Sequence, residues 1–293
     1  MPDLLSQSVC ALAGGAMDFA RTKFPPSVRI ETTNACNARC IICPHRDLRR
    51  AVTHMQDGFY RRLIDECSQA VCREVHLHNF GEPLLDKQLE NRICYAKSKG
   101  IRKVKIFSNG SLMTPDRAEG LIRAGLDEIK ISFDGATREE FEKIRPPLNF
   151  DAVVENIARL VAMRNAARSP MKIRVACCST TDKQETMRML EKIVDGFAFG
   201  KIHNWGGGAN GNGRRRLRKP CSRLWRTMTI LANGDVALCC LDYDGRRLLG
   251  RIDEKTTIAD VWNSADYRKV RECHRQARQN EIALCNDCSK SFW

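Results

Sequence analysis

The sequence lacks most of the features that would place it at a membrane, outside the cell or in a fibre. No apolar run approaches the roughly 18 residues needed to cross a bilayer. The mildly apolar stretch 4–20 follows Asp3 and contains no Lys or Arg before Arg21, so the basic n-region of a signal peptide is missing. It reads as a helix lying on the domain. There is no internal repeat, and the one low-complexity segment is a Gly-rich linker. Aromatic residues make up only 6% of the chain, and no basic stretch is interleaved with them as in many nucleic-acid-binding modules. An even cysteine count is also lacking: 15 Cys in 293 residues is odd, in a chain far longer than small secreted scaffolds, so a pure disulfide framework is excluded. Metal or cluster chemistry in a reducing compartment follows, hence a cytoplasmic location.

What is present fits a folded protein, with 43% hydrophobic and 29% charged residues. The length suits one large domain plus one small. Lys+Arg 49 against Asp+Glu 35 leaves +14, which suggests an acidic partner or substrate, or nucleic acid.

From residue 28 onward, short β-branched runs alternate with amphipathic stretches. Strands are expected over 28–33, 74–79, 101–107, 128–133, 171–178 and 201–204. Helices are expected over 57–70, 87–98, 115–124, 138–144, 151–164 and 183–194, one of them begun by Thr114 as N-cap and Pro115 at N1. Repeated strand–helix units imply an α/β fold with a parallel sheet, and six units imply a partial (β/α)6 TIM-like barrel. The domain plan is an N-terminal helical extension over 1–27, the barrel over 28–205, a Gly/Arg-rich linker over 206–220 that includes the basic run 214–219, and a small cysteine-rich domain over 221–293 with a β-hairpin and a helix. Asn233-Gly234 is the hairpin turn. A piece that small usually needs a metal or cluster as a staple.

Directly after the first strand stands Cys36-Asn37-Ala38-Arg39-Cys40-Ile41-Ile42-Cys43, a C-x3-C-x2-C loop at the carboxyl end of a strand, where parallel barrels carry their active sites. Three thiolates can hold three irons of a [4Fe–4S] cluster and leave the fourth open. A three-ligand zinc site and three buried structural thiols are the alternatives. The loop resembles the signature of the radical S-adenosylmethionine superfamily, and the resemblance continues through 28–205. Gly81-Glu82-Pro83 after the second strand is similar to the family's GGEP-like motif, with Asn79-Phe80 as a departure before it. Ser108-Asn109-Gly110 resembles the TNG-like turn. Ser132-Phe133-Asp134-Gly135 resembles the SxDG motif near the ribose and carboxylate, and Arg145 stands where related enzymes often place an Arg on the carboxylate. The resemblance implies that Gly81, Glu82, Pro83, Ser108, Asn109, Ser132, Asp134 and Arg145 bind S-adenosylmethionine. It also implies that a 5′-deoxyadenosyl radical takes a hydrogen atom from a substrate C–H.

Cys221, Gly234 and Cys239 have the spacing C-x12-G-x4-C, and Cys285-Asn286-Asp287-Cys288 adds a C-x2-C pair. This resembles the SPASM domain, in the shortened form called twitch. The resemblance implies an auxiliary [4Fe–4S] cluster on Cys221, Cys239, Cys285 and Cys288; a four-cysteine zinc ribbon is the alternative reading. Cys240 adjoins a ligand and, if its segment is extended, faces opposite to Cys239, as a hydrogen-atom donor to substrate or as packing. Cys10, Cys67, Cys72, Cys94, Cys177, Cys178 and Cys273 read as bystanders. Asp242 and Tyr243 have a substrate role or a turn or packing role, and His76 and His78 alternate along a strand approaching Glu82, where either one meets the cofactor pocket or both are polar strand residues. The run 214–219 is a solvated linker, a docking point for a flavodoxin or ferredoxin electron donor, or a phosphate site.

Only 27 residues precede the first strand, which turns the expectation from ribosomal peptides toward small molecules. The arrangement resembles aminocyclitol dehydrogenases and aminoglycoside epimerases. The implied function is oxidation at a hydroxyl-bearing carbon of a carbohydrate-like molecule. Epimerisation with Cys240 as donor, peptide modification, and a non-catalytic iron–sulfur or zinc nucleic-acid protein are the alternatives.

Overall fold

The computed structural model describes residues 4–178, 182–205, 217–286 and 288. The chain divides into two compact units, Ile30–Ile202, and Met1–Arg29 together with His203–Trp293. The Gly-rich residues 206–213 and the first half of the basic run lie outside the described residues.

After α1 (Leu4–Phe19) and β1 (Ser27–Ile30), the Ile30–Ile202 unit runs α2 (Asp57–Gln69), β2 (Glu74–His76), α3 (Leu89–Ser98), β3 (Lys103–Ser108), α4 (Pro115–Arg123), β4 (Glu128–Ser132), α5 (Arg138–Ile144), α6 (Phe150–Ala166), β5 (Lys172–Cys178), α7 (Lys183–Leu190) and β6 (Phe197–Gly200). The strand order is β6-β5-β4-β3-β2-β1, and β2 through β6 pair in parallel. This is the parallel sheet of a partial barrel. Alternation sets its two faces. Val104, Ile106, Ile129, Ile131, Ile173 and Val175 are buried on the helix-covered face, while the intervening residues point the other way. Thr114, Thr137, Asn149 and Asp182 each accept a backbone N–H at a helix start, which stops one orphan donor going unpaired. The starts at Thr114, Thr137 and Asp182 follow the ends of β3, β4 and β5, so the loops there are pinned on both sides, while Asn149 caps α6 directly after α5.

Three strand expectations change, and the first is that β1 ends at Ile30 rather than at 33. The last strand is 197–200, not 201–204: Phe197-Ala198-Phe199 pairs with Val175-Ala176-Cys177. β2 is only three residues long, because the chain leaves the sheet after His76 to build the 79–82 turn.

The other unit contains α8 (Arg223–Arg226), β7 (Thr227–Ile230), β8 (Asp235–Ala237), β9 (Leu248–Arg251), α9 (Ile258–Trp262), α10 (Ala265–Arg275) and α11 (Ala283–Asn286). The three strands form an antiparallel β7-β8-β9 ribbon, one strand more than the expected hairpin. Gly234 has φ +91° at the turn, a conformation that favours glycine. The N-terminal helix is part of this unit rather than of the barrel. Gly14 lets α1 approach α10, since a Cβ there would stand 2.5 Å from Arg275 Cγ. Asp18 pairs with Arg275 at 3.2 Å and accepts from Trp225 Nε1 at 2.6 Å.

Candidate cofactor and cluster sites

The loop that follows β1 is held from three directions. Arg39 N–H donates to Pro146 O and Ile41 N–H to Ile144 O, which ties Cys40 to the end of α5. His45 Nε2 bonds Asn34 O at 2.7 Å. The third anchor is Gly81. Its φ is +157°, and a Cβ there would meet Thr33 O at 2.4 Å, Asn34 Cα at 2.9 Å and Ala35 O at 3.0 Å. Only glycine lets the 79–82 turn lie against the cysteine loop, and Glu82 N–H then donates to Ala35 O at 2.8 Å.

Glu82 is fully enclosed. Oε1 accepts from Ser108 Oγ (2.7 Å) and Leu84 N–H (3.1 Å), and Oε2 from Asn109 N–H (2.7 Å). Burial pushes its carboxyl above the ordinary value, against the pull of these donors. Pro83 is buried at the start of the turn that follows. Asn109 Nδ2 donates to Asn37 Oδ1 at 2.9 Å, so the turn after β3 is bonded to the cysteine loop itself. The sequence-predicted residues Gly81, Glu82, Pro83, Ser108 and Asn109 therefore form one network with that loop.

Ser132 ends β4 beside Ala176. Two residues on, the fully buried Asp134 accepts from Arg145 Nη2 and from the Cys178 N–H. Arg145 Nη1 stands 3.6 Å from Cys40 Sγ. Asp134 thus holds the guanidinium against the cluster loop, with both carboxylate oxygens engaged. Gly135 (φ +116°) is required here because a Cβ would stand 2.3 Å from Phe141 N. Cys178 lies beside this pair, within the field of Asp134, Arg145 and Cys40.

Cys36, Cys40 and Cys43 perturb one another's ionisation. Burial pushes Cys36 up to about 12 and Cys43 up to about 11, and raises Cys40 against the opposing pull of Arg145. Such thiols need a strong local cation to become thiolates, and the irons of a cluster supply it. Three neighbouring buried thiols with a guanidinium beside Cys40 fit a [4Fe–4S] cluster with one open iron. Among the described residues no three His, Cys, Asp or Glu side chains close around a single ion; a cluster takes one thiolate per iron instead.

In the other unit, Cys221, Cys239, Cys285 and Cys288 likewise lie near one another. Burial raises Cys221, Cys239 and Cys285, and Cys288 adds to the fields at Cys221 and Cys285. The sequence reading missed Arg223. Burial works against its charge, yet Cys240, Cys221, Cys239 and Cys288 hold it above its ordinary value. The expectation for Cys240 loses its premise. β8 ends at Ala237, and Asp242 N–H donates to Cys239 O at 3.1 Å, so Cys239-Cys240 sits in a turn and strand alternation does not apply. Asp242 takes the turn role: its carboxylate accepts from Arg246 N–H (2.8 Å) and Arg247 N–H (2.9 Å). Of the basic run, Arg218 donates to Asn286 O at 2.9 Å and so braces the segment that carries Cys285.

Residues 30–169 match the radical SAM superfamily, and residues 221–289 match the SPASM iron–sulfur cluster-binding domain. A probable GTP 3′,8-cyclase of Methanopyrus kandleri is 30% identical over 173 residues, 59% of this chain and 52% of that protein. The GTP 3′,8-cyclase of Chlorobaculum tepidum is 34% identical over 137 residues, 46% of this chain and 41% of that protein. The chain thus spans about half the length of these curated relatives. Among solved structures, BtrN in complex with AdoMet and 2-DOIA superposes with TM-score 0.63 at 16% identity, covering 90% of this chain and 92% of that one. Streptococcus suis SuiB bound to precursor peptide SuiA gives 0.69 at 13% identity, covering 94% and 72%. Both likenesses establish the fold. The first matched segment contains Cys36, Cys40 and Cys43 and the second contains Cys221, Cys239, Cys285 and Cys288, and the chain carries a radical SAM domain, with its S-adenosylmethionine and [4Fe–4S] cluster, followed by a SPASM iron–sulfur domain.

Proposed function

We propose that this chain is a radical enzyme that removes hydrogen from a hydroxyl-bearing carbon of a carbohydrate-like small molecule and oxidises it to a carbonyl. When bound, the cofactor supplies a 5′-deoxyadenosyl radical that accepts the carbon-bound hydrogen. The chain's own residues do the rest. Cys36, Cys40 and Cys43 would ligate the site cluster, Glu82 would receive the cofactor's ammonium at its one remaining lone pair, on Oε2, and Arg145 would face its carboxylate. Gly81 and Asn109 lock those loops together. The hydroxyl proton leaves to solvent, and the second electron needs an acceptor, for which Cys221, Cys239, Cys285 and Cys288 are the ligand set. The observation that carries this reading is the match in extent to BtrN, 90% of this chain and 92% of that one, a structure holding AdoMet with a small molecule, 2-DOIA.

SuiB with its precursor peptide supports peptide modification as a second reading, through its coverage of 94% of this chain. Epimerisation is less supported, since Cys240 sits in a turn, where strand alternation no longer directs its thiol away from the auxiliary ligands. The electron donor is proposed to be a flavodoxin or ferredoxin.

The test is anaerobic reconstitution followed by incubation with alcohols deuterated at the carbinol carbon. The reading requires about eight irons from two clusters, and deuterium appearing in 5′-deoxyadenosine. Zinc in both sites with no cleavage of S-adenosylmethionine would remove it.

A further inference from the structure

The face of a parallel barrel turned away from its helices is ordinarily packed with branched apolar side chains. In the Ile30–Ile202 unit that face is charged. One rung across the strands is His76, Lys105, Glu128 and Lys172. The next rung toward the carboxyl ends is Phe107, Lys130 and Arg174, with His78 stacked on Phe107 at 4.5 Å and 8°. This second rung lies one residue before Ser108 and two before Ser132, directly beneath the cofactor loops.

Its charge is not balanced. Glu74 is occupied by Lys105 at 2.8 Å and His76 at 3.0 Å. Glu128 is occupied by Lys103 at 2.5 Å, with Lys130 at 3.5 Å as its weaker partner. The His76 ring, then Lys105, holds Glu74 well below the usual carboxylate range. Burial pushes Glu128 up, but Lys103, Lys130 and Lys105 together keep it lowered. Both carboxylates are therefore ionised and already shared. Lys172 turns to Asp195 at 3.6 Å. Arg174 is exposed and has no carboxylate within ion-pair distance among the described residues. Lys130 Nζ is steadied 5.2 Å from the Phe107 centroid, and Phe107 itself is 36% exposed. The lower rung is neutralised; the upper rung keeps two cations and an open aromatic edge.

We propose that this face seats the substrate, and that the substrate is an acid-bearing small molecule whose carboxylate or phosphate is received by Lys130 and Arg174 while its carbon skeleton lies along Phe107. The proposal rests on the radical reading above and narrows its substrate class. An amine-bearing cyclitol would set its ammonium against Lys130 and Arg174, whereas a hydroxylated acid or a sugar phosphate meets complementary charge. The +14 net charge of the chain acts in the same direction by drawing anions inward.

The test uses reconstituted protein with S-adenosylmethionine bound, titrated calorimetrically at low ionic strength with four probes: D-gluconate, D-glucose 6-phosphate, D-glucose and D-glucosamine. At least one of the two acids should bind about tenfold or more tightly than the neutral and amino sugars, and affinity should fall as salt is raised. Gluconate and glucose 6-phosphate separate the carboxylate from the phosphate source, and preference for either supports the seat. Lys130→Gln and Arg174→Gln should each weaken the acid about tenfold, while Arg123→Gln on α4 should not. Equal binding of all four probes, or acid binding unchanged in both variants, overturns the proposal. Tighter binding of hexaglutamate than of either acid overturns its small-molecule part in favour of an acidic peptide. Reductive cleavage of S-adenosylmethionine, measured in the same samples, separates the two failures. Intact cleavage with no acid preference removes the seat alone, and absent cleavage removes the radical reading.

Discussion

Asp134→Asn isolates the one buried ion pair at the heart of the candidate site. The side chains of Arg145 and Asp134 are 10% and 1% exposed, and the carboxylate is the guanidinium's only acidic partner within ion-pair distance among the described residues. Asparagine keeps the shape and keeps an oxygen for the Cys178 N–H, but removes the charge. Arg145 then faces only Cys40 Sγ at 3.6 Å, a protonated and buried thiol in the absence of iron. Breaking a buried pair by neutralising one member typically costs about 3–5 kcal/mol, because the other charge is left uncompensated. A domain of this size loses about 2–4 °C of melting temperature per kcal/mol, so the barrel unit should melt roughly 6–20 °C lower.

The assay is the apparent melting temperature at fixed scan rate for wild type, Asp134→Asn, Arg145→Met and the double variant, in iron-free protein. The double variant removes both charges and should recover most of the loss, since an apolar replacement of a buried pair is often close to neutral. A melting temperature for Asp134→Asn within about 2 °C of wild type, or a double variant no better than the single, would refute the reasoning.

Other outcomes are equally definite. Replacing Cys36, Cys40 or Cys43 by Ala should abolish 5′-deoxyadenosine formation and leave about four irons in the SPASM domain; cleavage retained in Cys40→Ala would contradict the assignment. Gly81→Ala must push Thr33 O away from a 2.4 Å contact, an overpacking cost of about 1–3 kcal/mol. Its S-adenosylmethionine affinity should drop with its melting temperature, and native affinity would show that the close approach is unnecessary. Glu74 has its folded pKa lowered from 4.5, so the unfolded chain binds the proton more readily. Its stabilisation is present above pH 4.5 and is lost as pH falls below it. The melting gap between wild type and Glu74→Gln should therefore be full near neutrality and close in acid, and a gap that widens in acid would reverse the sign. Arg223→Met should make the auxiliary cluster harder to reduce, read as a more negative midpoint potential in a spectroscopic redox titration; an unchanged or more positive midpoint would remove Arg223 from its field.

The parts of the site legible in the sequence are those in which the backbone itself does the work. Gly81 and Gly135 are required where two stretches of the chain nearly touch, and Ser108 and Asn109 bond to Glu82 and Asn37 beside the first of these, so the motifs survive as short strings in fixed order. Strand–helix alternation gave the parallel sheet for the same local reason: Val104, Ile106, Ile129 and Ile131 bury one face and announce a period of two. Features built from long-range packing left no string. β6 was misplaced because Phe197-Ala198-Phe199 is an edge segment with apolar residues on both faces and no clean alternation. β9 reads as Leu248-Leu249-Gly250-Arg251, too short to stand out, and its place depends on pairing with β8. The N-terminal helix shows an apolar face but not which unit it covers; Gly14 against Arg275 decides that. Cys178, Lys130 and Arg174 read as ordinary strand residues until the register aligns them.

Arg145 and Arg223 share one feature that neither motif predicts: each thiol set has a guanidinium in its field, but only one of the two is neutralised. At Cys40 the charge of Arg145 is offset by Asp134, which is buried beside it. Arg223 has no carboxylate within ion-pair distance among the described residues, and its field falls on Cys240, Cys221, Cys239 and Cys288. Local charge is one of the main levers on the potential of an iron–sulfur cluster, and an uncompensated cation favours the reduced form. The two ligand sets therefore differ in the charge beside them. Beside the radical SAM loop the Arg145–Asp134 pair adds no net charge and the field of Glu82 reaches Cys36, a surrounding suited to a strongly reducing cluster that gives up its electron. The SPASM set has a net positive surrounding, suited to taking one. That asymmetry is what an oxidation requires of a second cluster and what an epimerisation does not need. It favours the oxidative reading independently of the likeness to BtrN.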